Sequence, residues 1–423
     1  MTSQATGSTA SCADPEASTT LTVTAAREAI LANISPILTT RRLPLRDALG
    51  QALAEEIVSP VDVPGHTNSA MDGYAIAGSD LPKQEYRDFT LIGTAIAGTP
   101  FSQDCRPGEC VRIMTGAPMP NGADTVVMQE QANLIDERRV RIGTGHRPGQ
   151  NVRQAGEDIA QGSVVLNPGK RLTPADLGVM ASLGIAEVGV RRRPRVAFFS
   201  TGDELRSIGE PLGEGEVYDS NRYSLYGMLT RADCERLDLG VVKDDPAALK
   251  QAFVTAAEAA DLVVTSGGVS VGEADYTKTI LQQLGEMHFW KIAMKPGRPL
   301  TFGRLGDSLF FGLPGNPVAV MVTFYQFVLP ALHYLASGTP YRPFTLPAVS
   351  GCEIRKQPGR FEFIRGILSR QEDGSLTVNS VGQQGSGILT SMSRGNCFIL
   401  LPETCDGVSS GDAVTVQPFN ALV

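Results

Sequence analysis

Hydroxyls, bare amides and carboxylates crowd one stretch of the chain, Asp261 to Tyr276, which reads DLVVTSGGVSVGEADY. Leu262, Val263 and Val264 form an apolar run too short for a membrane span and right for a buried strand. The run empties into Thr265-Ser266-Gly267-Gly268. Two glycines open backbone geometry closed to other residues, so that amides can turn together toward an anion. Ser270, Gly272, Glu273 and Asp275 follow, two carboxylates within three positions. Hydroxyls, amides and acids at the carboxyl end of a strand suit a phosphate held with a divalent cation. An ordinary tight strand-to-helix turn carries the same glycines, so the acids and the neighbouring segments must decide.

Those neighbours repeat the arrangement. From Arg195 the pattern alternates strand and helix. Val196–Ser200 ends in Thr201-Gly202-Asp203-Glu204, and Asp219 offers a cap for a helix to Thr230. Leu237–Val242 is a strand. Asp245 caps the next helix with Pro246 in its first turn. Thr277–Leu284 is a helix and His288–Met294 a strand ending in Lys295-Pro296-Gly297-Arg298-Pro299. Leu309–Gly312 leads through Pro314-Gly315-Asn316-Pro317 into a helix through Phe327. Repeated βα units predict a mostly parallel sheet covered by helices, with the ligand beyond the carboxyl ends of the strands. That rule places Asp203, Glu204, Asp244, Asp275, Ser266, Ser270, Lys295, Arg298 and Asn316 on one rim. Carboxylates there suit Mg²⁺ bound through a few acids and a substrate phosphate. Lys295 and Arg298 oppose the remaining anionic oxygens and are expected to bind an anion rather than pair with surface acids. His66, His146, His288 and His333 lack ligand spacing, with His288 expected in the core. Metal-assisted attack at phosphorus is favoured over a side-chain nucleophile.

The rest of the chain frames this region. Helices are expected at Ala25–Ile34, behind Thr22 or Thr24, and at Leu45–Glu55, behind Pro44. From Val61 short strands separated by Gly, Pro and Asn predict a small inserted β domain. Within it, Asn68–Tyr74 and Arg112–Pro118 match no general catalytic signature and read as loop packing. Thr173-Pro174-Ala175-Asp176 starts a helix well. After about Tyr341 the chain is β again, a small barrel or sandwich in which Arg355, Arg360 and Arg365 are expected to be solvated.

The totals set limits. A chain of 423 residues exceeds one ordinary core and implies about three or four domains. Its 42% hydrophobic and 19% charged content describes a globular protein. A net charge of −8 without a long basic run argues against nucleic acid. No apolar stretch is read as long enough to span a membrane. The seven scattered cysteines contain no C-x-x-C and are expected as reduced thiols in a cytoplasmic protein without structural zinc. The Ser-, Thr- and Ala-rich first twenty residues read as a disordered tail rather than a signal peptide.

Nine motifs then occur in order: NSAMDGYA (Asn68–Ala75), RIMTGAPMP (Arg112–Pro120), GED (Gly156–Asp158), STGDEL (Ser200–Leu205), YDSNR (Tyr218–Arg222), DDP (Asp244–Pro246), SGGVSVGEADYT (Ser266–Thr277), KPGRP (Lys295–Pro299) and GLPGNP (Gly312–Pro317). Together they resemble the MoeA-type molybdopterin molybdenumtransferases and the related gephyrin E domain, from about Leu21 to the end. The resemblance implies a multidomain α/β plus β protein. It would have a disordered tail (1–20), an elongated domain I (21–60 and 155–190) and an inserted small β domain II (61–154). A MogA-like three-layer α/β domain III (191–340) and a C-terminal β-barrel domain IV (341–423) would follow. It also implies a homodimer with shared active sites, Mg²⁺, and molybdate and adenylylated molybdopterin as substrates. A MogA-like adenylyltransferase would supply the substrate, and molybdoenzyme apoproteins are further expected partners. Carried over by position, the family's functional residues fall at Asp72, Thr115, Glu204, Asp244 and Asp275, with Asp244 and Asp275 on the metal. Ser266, Gly267, Gly268, Ser270, Lys291, Lys295, Arg298 and Asn316 are the candidate substrate contacts. One departure stands out: relatives commonly read GNPVS, and Ala319 here removes a hydroxyl that could touch the oxyanion. A gephyrin-like dimeric scaffold remains the competing reading. A generic nucleotide-binding enzyme is disfavoured, because neither G-x-x-x-x-G-K-[ST] nor G-x-G-x-x-G occurs.

Overall fold

The structure, a computed structural model, describes residues 20–267 and 276–419. Gly268, Ser270, Asp275 and Cys12 therefore lie outside the described residues. The chain divides into two compact units: one takes in the chain up to Arg41, Gly50–Ala52 and Arg191 onward, the other Arg42–Leu49 and Leu53–Val190.

The first unit is built on a seven-stranded sheet. In chain order its elements are β1 (Thr20–Leu21), α1 (Val23–Ala32), β2 (Arg195–Thr201), α2 (Ser220–Arg231), β3 (Glu235–Val242), α3 (Pro246–Ala259), β4 (Leu262–Ser266), α4 (Tyr276–Leu284), β5 (Gly285–Ile292), β6 (Pro299–Leu305) and β7 (Ser308–Leu313). The strand order is β1-β5-β6-β7-β4-β2-β3. Strands β7, β4, β2 and β3 pair in parallel, while β6 runs antiparallel to both its neighbours. The sheet is mostly parallel, as expected, and β6 alone of its seven strands runs against the others, because Pro299–Leu305 turns back as a strand. Alternation of side chains assigns the two faces. Val196, Phe198, Val264 and Phe311 pack under α1 and α2, whereas Ala197, Phe199, Val263 and Phe310 pack against Leu249, Phe253 and Leu281 of α3 and α4. The result is three layers. The capping residues act as expected: Thr22, Asp219 and Asp245 each accept from a backbone N–H of their helix.

After β7 comes α5 (Pro317–Thr323), a single π turn (Phe324–Val328) and α6 (Leu329–Ser337). The helix runs ten residues beyond the expected end at Phe327. Over 317–337 it is long and apolar enough to span a membrane by length and composition, against the sequence expectation, but 83% of its apolar window is buried inside the fold. Pro330 explains the π turn, since it has no N–H to give to the preceding turn. The Gln326 carbonyl, which an α-helix would pair with residue 330, accepts from Arg27 Nε at 3.0 Å. Arg27 also donates to Gln326 Oε1, and Gln326 Nε2 donates to Gln417 Oε1 at 3.2 Å. Burial holds the Arg27 pKa below its ordinary value.

Beyond residue 345 five strands close a barrel: Phe361–Arg370, Leu376–Ser380, Leu346–Ser350, Ala413–Pro418 and Cys397–Leu401, the last pairing back to the first. Arg365 is 1% exposed rather than solvated as expected; it lies on the outer face of its strand with Phe361 and Phe363, while Ile364 faces the barrel's own core. His288, expected in the core, is exposed and stacks on Trp290.

The second unit holds a six-stranded sheet in the order Thr125–Met128, Gly73–Ile76, Glu109–Ile113, Tyr86–Ala95, Arg139–Gly143 and Ala132–Asp136. Thr173 and Asp176 form a reciprocal capping box on the helix Pro174–Ser182. The helix expected over Leu45–Glu55 shrinks to one 3₁₀ turn, Leu45–Ala48. Gly50 takes φ +77°, and the Leu53 N–H is committed to the Lys170 carbonyl. Backbone pairing with distant segments outweighs local helix propensity there.

Replacing Arg27 with Met should destabilise the first unit by about 2 kcal/mol, because a buried carbonyl and a buried amide lose their donor together. Urea unfolding followed by far-UV circular dichroism measures it. A change within about 0.5 kcal/mol would contradict the role given to Arg27.

Candidate active site

The rim lies where β2, β3, β4 and β7 end, and their closeness is set by backbone. Gly267 has φ +88°, and a Cβ added to it would stand 2.5 Å from the Thr201 carbonyl oxygen. Its N–H donates to the Leu313 carbonyl at 3.2 Å. No residue but glycine fits such an approach. Ser266 is buried, with its hydroxyl 3.1 Å from that of Ser200 on the neighbouring strand. Ser266 and Gly267 thus join β2, β4 and β7 at one point.

The acids flank that point. The loop after β2 presents Asp203 and Glu204, both exposed. The Glu204 carboxylate folds back over Gly202, within 2.6 Å of where a Cβ there would lie. The Asp244 N–H donates to Asp203 Oδ1 at 3.2 Å, which draws the loops after β2 and β3 together. These are hard oxygen donors, the set that Mg²⁺ takes alongside phosphate and water. Asp244 is placed on the rim, and its expected partner on the metal, Asp275, lies outside the described residues. Among the described residues no three His, Cys, Asp or Glu side chains are grouped to hold a metal.

The basic side of the rim differs from expectation. Lys295 is paired: its Nζ stands 3.4 Å from Glu362 Oε2, and Glu362 is 4% exposed. A buried carboxylate needs a cation, and nothing local in the sequence marks Glu362 as that partner. Arg298 is exposed, its carbonyl fixed by the Ile292 N–H at 2.7 Å. Lys291 lies on β5 in register with Thr20 and Pro299, partly exposed. Gly297, at φ +95°, passes so close to α5 that a Cβ would meet Thr323 Cγ2 at 2.6 Å and the Ala319 carbonyl at 3.6 Å. Ala319 therefore sits under the Lys295–Arg298 loop. Asn316 is the N-cap residue of α5, makes no capping bond and is exposed.

One cation was missed. Arg365 donates from Nε to Ser391 Oγ at 3.0 Å, and from its two terminal nitrogens to the carbonyls of Phe363 at 3.4 Å and Gly385 at 3.2 Å. Among the described residues no carboxylate pairs with it, and burial lowers its pKa to about 10. The same loop reaches the rim helix, since the Val318 N–H donates to the Ser386 carbonyl at 3.0 Å. The alternation of Phe361, Phe363 and Arg365 along the strand was the available signal that Arg365 shares a buried face with the two phenylalanines.

In the second unit, Asp72 and Thr115 meet. Asp72 Oδ1 accepts from both the backbone N–H and the hydroxyl of Thr115, each at 2.7 Å. These bonds hold the Asp72 carboxyl below its ordinary pKa. The two segments that read as loop packing are thus a hydrogen-bonded pair with an ionised carboxylate.

Comparison with known proteins covers nearly the whole chain. Residues 21–184 match the MoeA N-terminal region (domain I and II), 197–334 a probable molybdopterin binding domain, and 347–419 the MoeA C-terminal region (domain IV). The chain is 44% identical to a molybdopterin molybdenumtransferase of Haemophilus influenzae over 95% of this chain and 100% of that protein. It is 36% identical to one of Nostoc sp. over 92% and 91%. The crystal structure of the molybdopterin biosynthesis moeA protein of Pyrococcus horikoshii superposes with a TM-score of 0.83 at 30% identity, over 95% of this chain and all of that one.

The Asp72 pair has a pH signature. With its folded pKa depressed, the stability it contributes is present above the ordinary carboxylate value and lost as pH falls through the depressed one. In Thr115→Val the Asp72 carboxyl should rise part of the way back toward its ordinary value, since the hydroxyl bond is lost and the backbone bond remains, read by carbon NMR titration of the side chain. The valine keeps the backbone N–H bond, so an unmoved titration would show that the Thr115 hydroxyl adds nothing and that the N–H alone sets it.

Proposed function

Because the chain belongs to the molybdopterin molybdenumtransferase family, we propose that it completes molybdenum cofactor biosynthesis by inserting molybdate into adenylylated molybdopterin with release of AMP. The observation that carries this reading is the rim. Glycine backbone, buried hydroxyls and exposed acids converge where β2, β3, β4 and β7 end, and no side-chain nucleophile is needed there. The Gly267 turn, with Ser266, Gly268 and Ser270, cradles the pyrophosphate. Asp244 and Asp275 would hold Mg²⁺ as two of its carboxylate ligands, and Glu204 offers a further hard oxygen donor. Bound there, Mg²⁺ would neutralise the pyrophosphate and favour departure of AMP.

Molybdate is a tetrahedral dianion, and Lys291, Lys295, Arg298, Ser270 and Asn316 offer it charge and hydrogen bonds. The buried Arg365, uncompensated by any described carboxylate, adds positive potential through the loop that holds Val318. The Lys295–Glu362 pair orients the ammonium and leaves it half exposed, so that an oxyanion can share it. At Ala319 the methyl group supplies no hydrogen bond, and affinity rests on these cations.

The protein acts as a cytoplasmic C₂ homodimer in which each site takes Asp72 and Thr115 from one chain and the rim from the other. A MogA-like adenylyltransferase supplies its substrate, and molybdoenzyme apoproteins receive its product. Two inactive variants test the arrangement. Homodimers of Asp72→Ala and of Asp244→Ala should each be nearly inactive. In a mixed dimer one site carries both defects and the other neither, so about half of wild-type activity per mixed dimer should return. No recovery, with mixed dimers shown to form, would mean that the site is built otherwise.

A further inference from the structure

Two polar atoms in the wall of the rim have no partner among the described residues: Thr201 Oγ1 and Asn221 Oδ1. Their residues are 4% and 8% exposed. Thr201 ends β2, and its Oγ1 lies 3.3 Å from where a Cβ on Gly267 would stand. Asn221 belongs to the YDSNR motif at the start of α2, to which no role has yet been given. Its Nδ2 donates to the Gly315 carbonyl at 2.7 Å, and a Cβ on Gly315 would stand 3.9 Å from Gly267 Cα. Thr201, Gly267, Gly315 and Asn221 therefore form one continuous wall, in which, among the described residues, the Thr201 hydroxyl is unpaired as donor and as acceptor and Asn221 keeps its acceptor oxygen in reserve.

A buried hydrogen-bonding atom without a partner destabilises a fold, and an apolar residue of the same shape would remove that cost at Thr201. The character of the two atoms narrows what they would recognise. Asn221 Oδ1 only accepts, so it repels a phosphate oxygen and requires a donor. A hydroxyl such as that of Thr201 both donates and accepts. A vicinal diol matches the two together, and a nucleotide carries one next to its phosphate. Resting on the proposed use of Gly267 as the pyrophosphate cradle, we infer that Thr201 and Asn221 recognise the ribose hydroxyls of the adenylate half of the substrate. They are specificity residues and take no part in bond making.

The test is equilibrium binding by calorimetry, with AMP, 2′,3′-dideoxy-AMP and molybdopterin as separate probes and thermal unfolding alongside. Thr201→Val should weaken AMP binding roughly five- to tenfold, leave the unfolding temperature unchanged or higher, and bind dideoxy-AMP as wild type does. Thr201→Ser keeps the hydroxyl and should restore AMP affinity. Asn221→Leu should weaken AMP binding similarly, with a lower unfolding temperature because Gly315 loses its donor. Wild-type-like AMP binding by Thr201→Val, or a loss seen with molybdopterin alone, would overturn the ribose assignment while leaving the catalytic reading in place. A wild-type protein that binds molybdopterin and AMP at neither affinity nor stoichiometry above background would overturn both.

Discussion

A helix that carries Pro330 inside it leaves one carbonyl without its usual amide, and Arg27 supplies the missing donor. Much of the larger unit depends on that exchange. The helix from Pro317 to Ser337 is the apolar centre on which the sheet, α1 and the barrel pack. A break there would expose several phenylalanine side chains, among them Phe324 and Phe327, both buried. Arg27 brings α1 against the π turn, and Gln326 passes the connection on to Gln417 on the barrel. The first turn of the same helix follows Gly315 and Asn316 on the rim. A cation buried near the helix midpoint thus keeps in place the residues that open the site.

At the rim the governing quantity is the absence of side chains. Gly202, Gly267 and Gly297 each stand where a Cβ would collide with a carboxylate, a carbonyl or a methyl group. Strand ends and loops can therefore approach as backbone, which concentrates amides and acids in a small volume. Parallel strands set this up by ending on the same side. The antiparallel β6 leaves that side intact, because β5 and β7 on either side of it still end there, and the Lys295–Arg298 loop between β5 and β6 stays on the rim.

Local chemistry was legible in the sequence, and distant pairing was not. Thr173 with Asp176, Asp219 and Asp245 cap their helices as expected, since a cap depends on residues three positions apart. The βα alternation after Arg195 likewise follows from short-range periodicity. The Leu45–Glu55 helix fails because Leu53 donates to the Lys170 carbonyl and bridges to Val190 in the strand Glu187–Arg191, partners more than a hundred residues on that periodicity does not report. The strand at Pro299–Leu305 hides behind a proline-rich turn, and its Pro299 stands at the first position, where a strand tolerates it. Glu362 and Arg365 alternate within an ordinary-looking strand, and only closure of the barrel decides which is buried against what. Asp72 and Thr115 came from the resemblance alone. Their bond joins irregular segments 43 residues apart, and neither segment has a periodicity that would mark it.

Coupling of molybdate insertion to loss of the adenylate is the proposed work of this rim. The most direct measurement is a single incubation of the full chain with adenylylated molybdopterin and Mg²⁺, with and without molybdate, following AMP and molybdenum cofactor together. AMP and cofactor should form in equal amounts, both dependent on molybdate. Cofactor formed with the adenylate still attached, or AMP released at the same rate without molybdate, would contradict it.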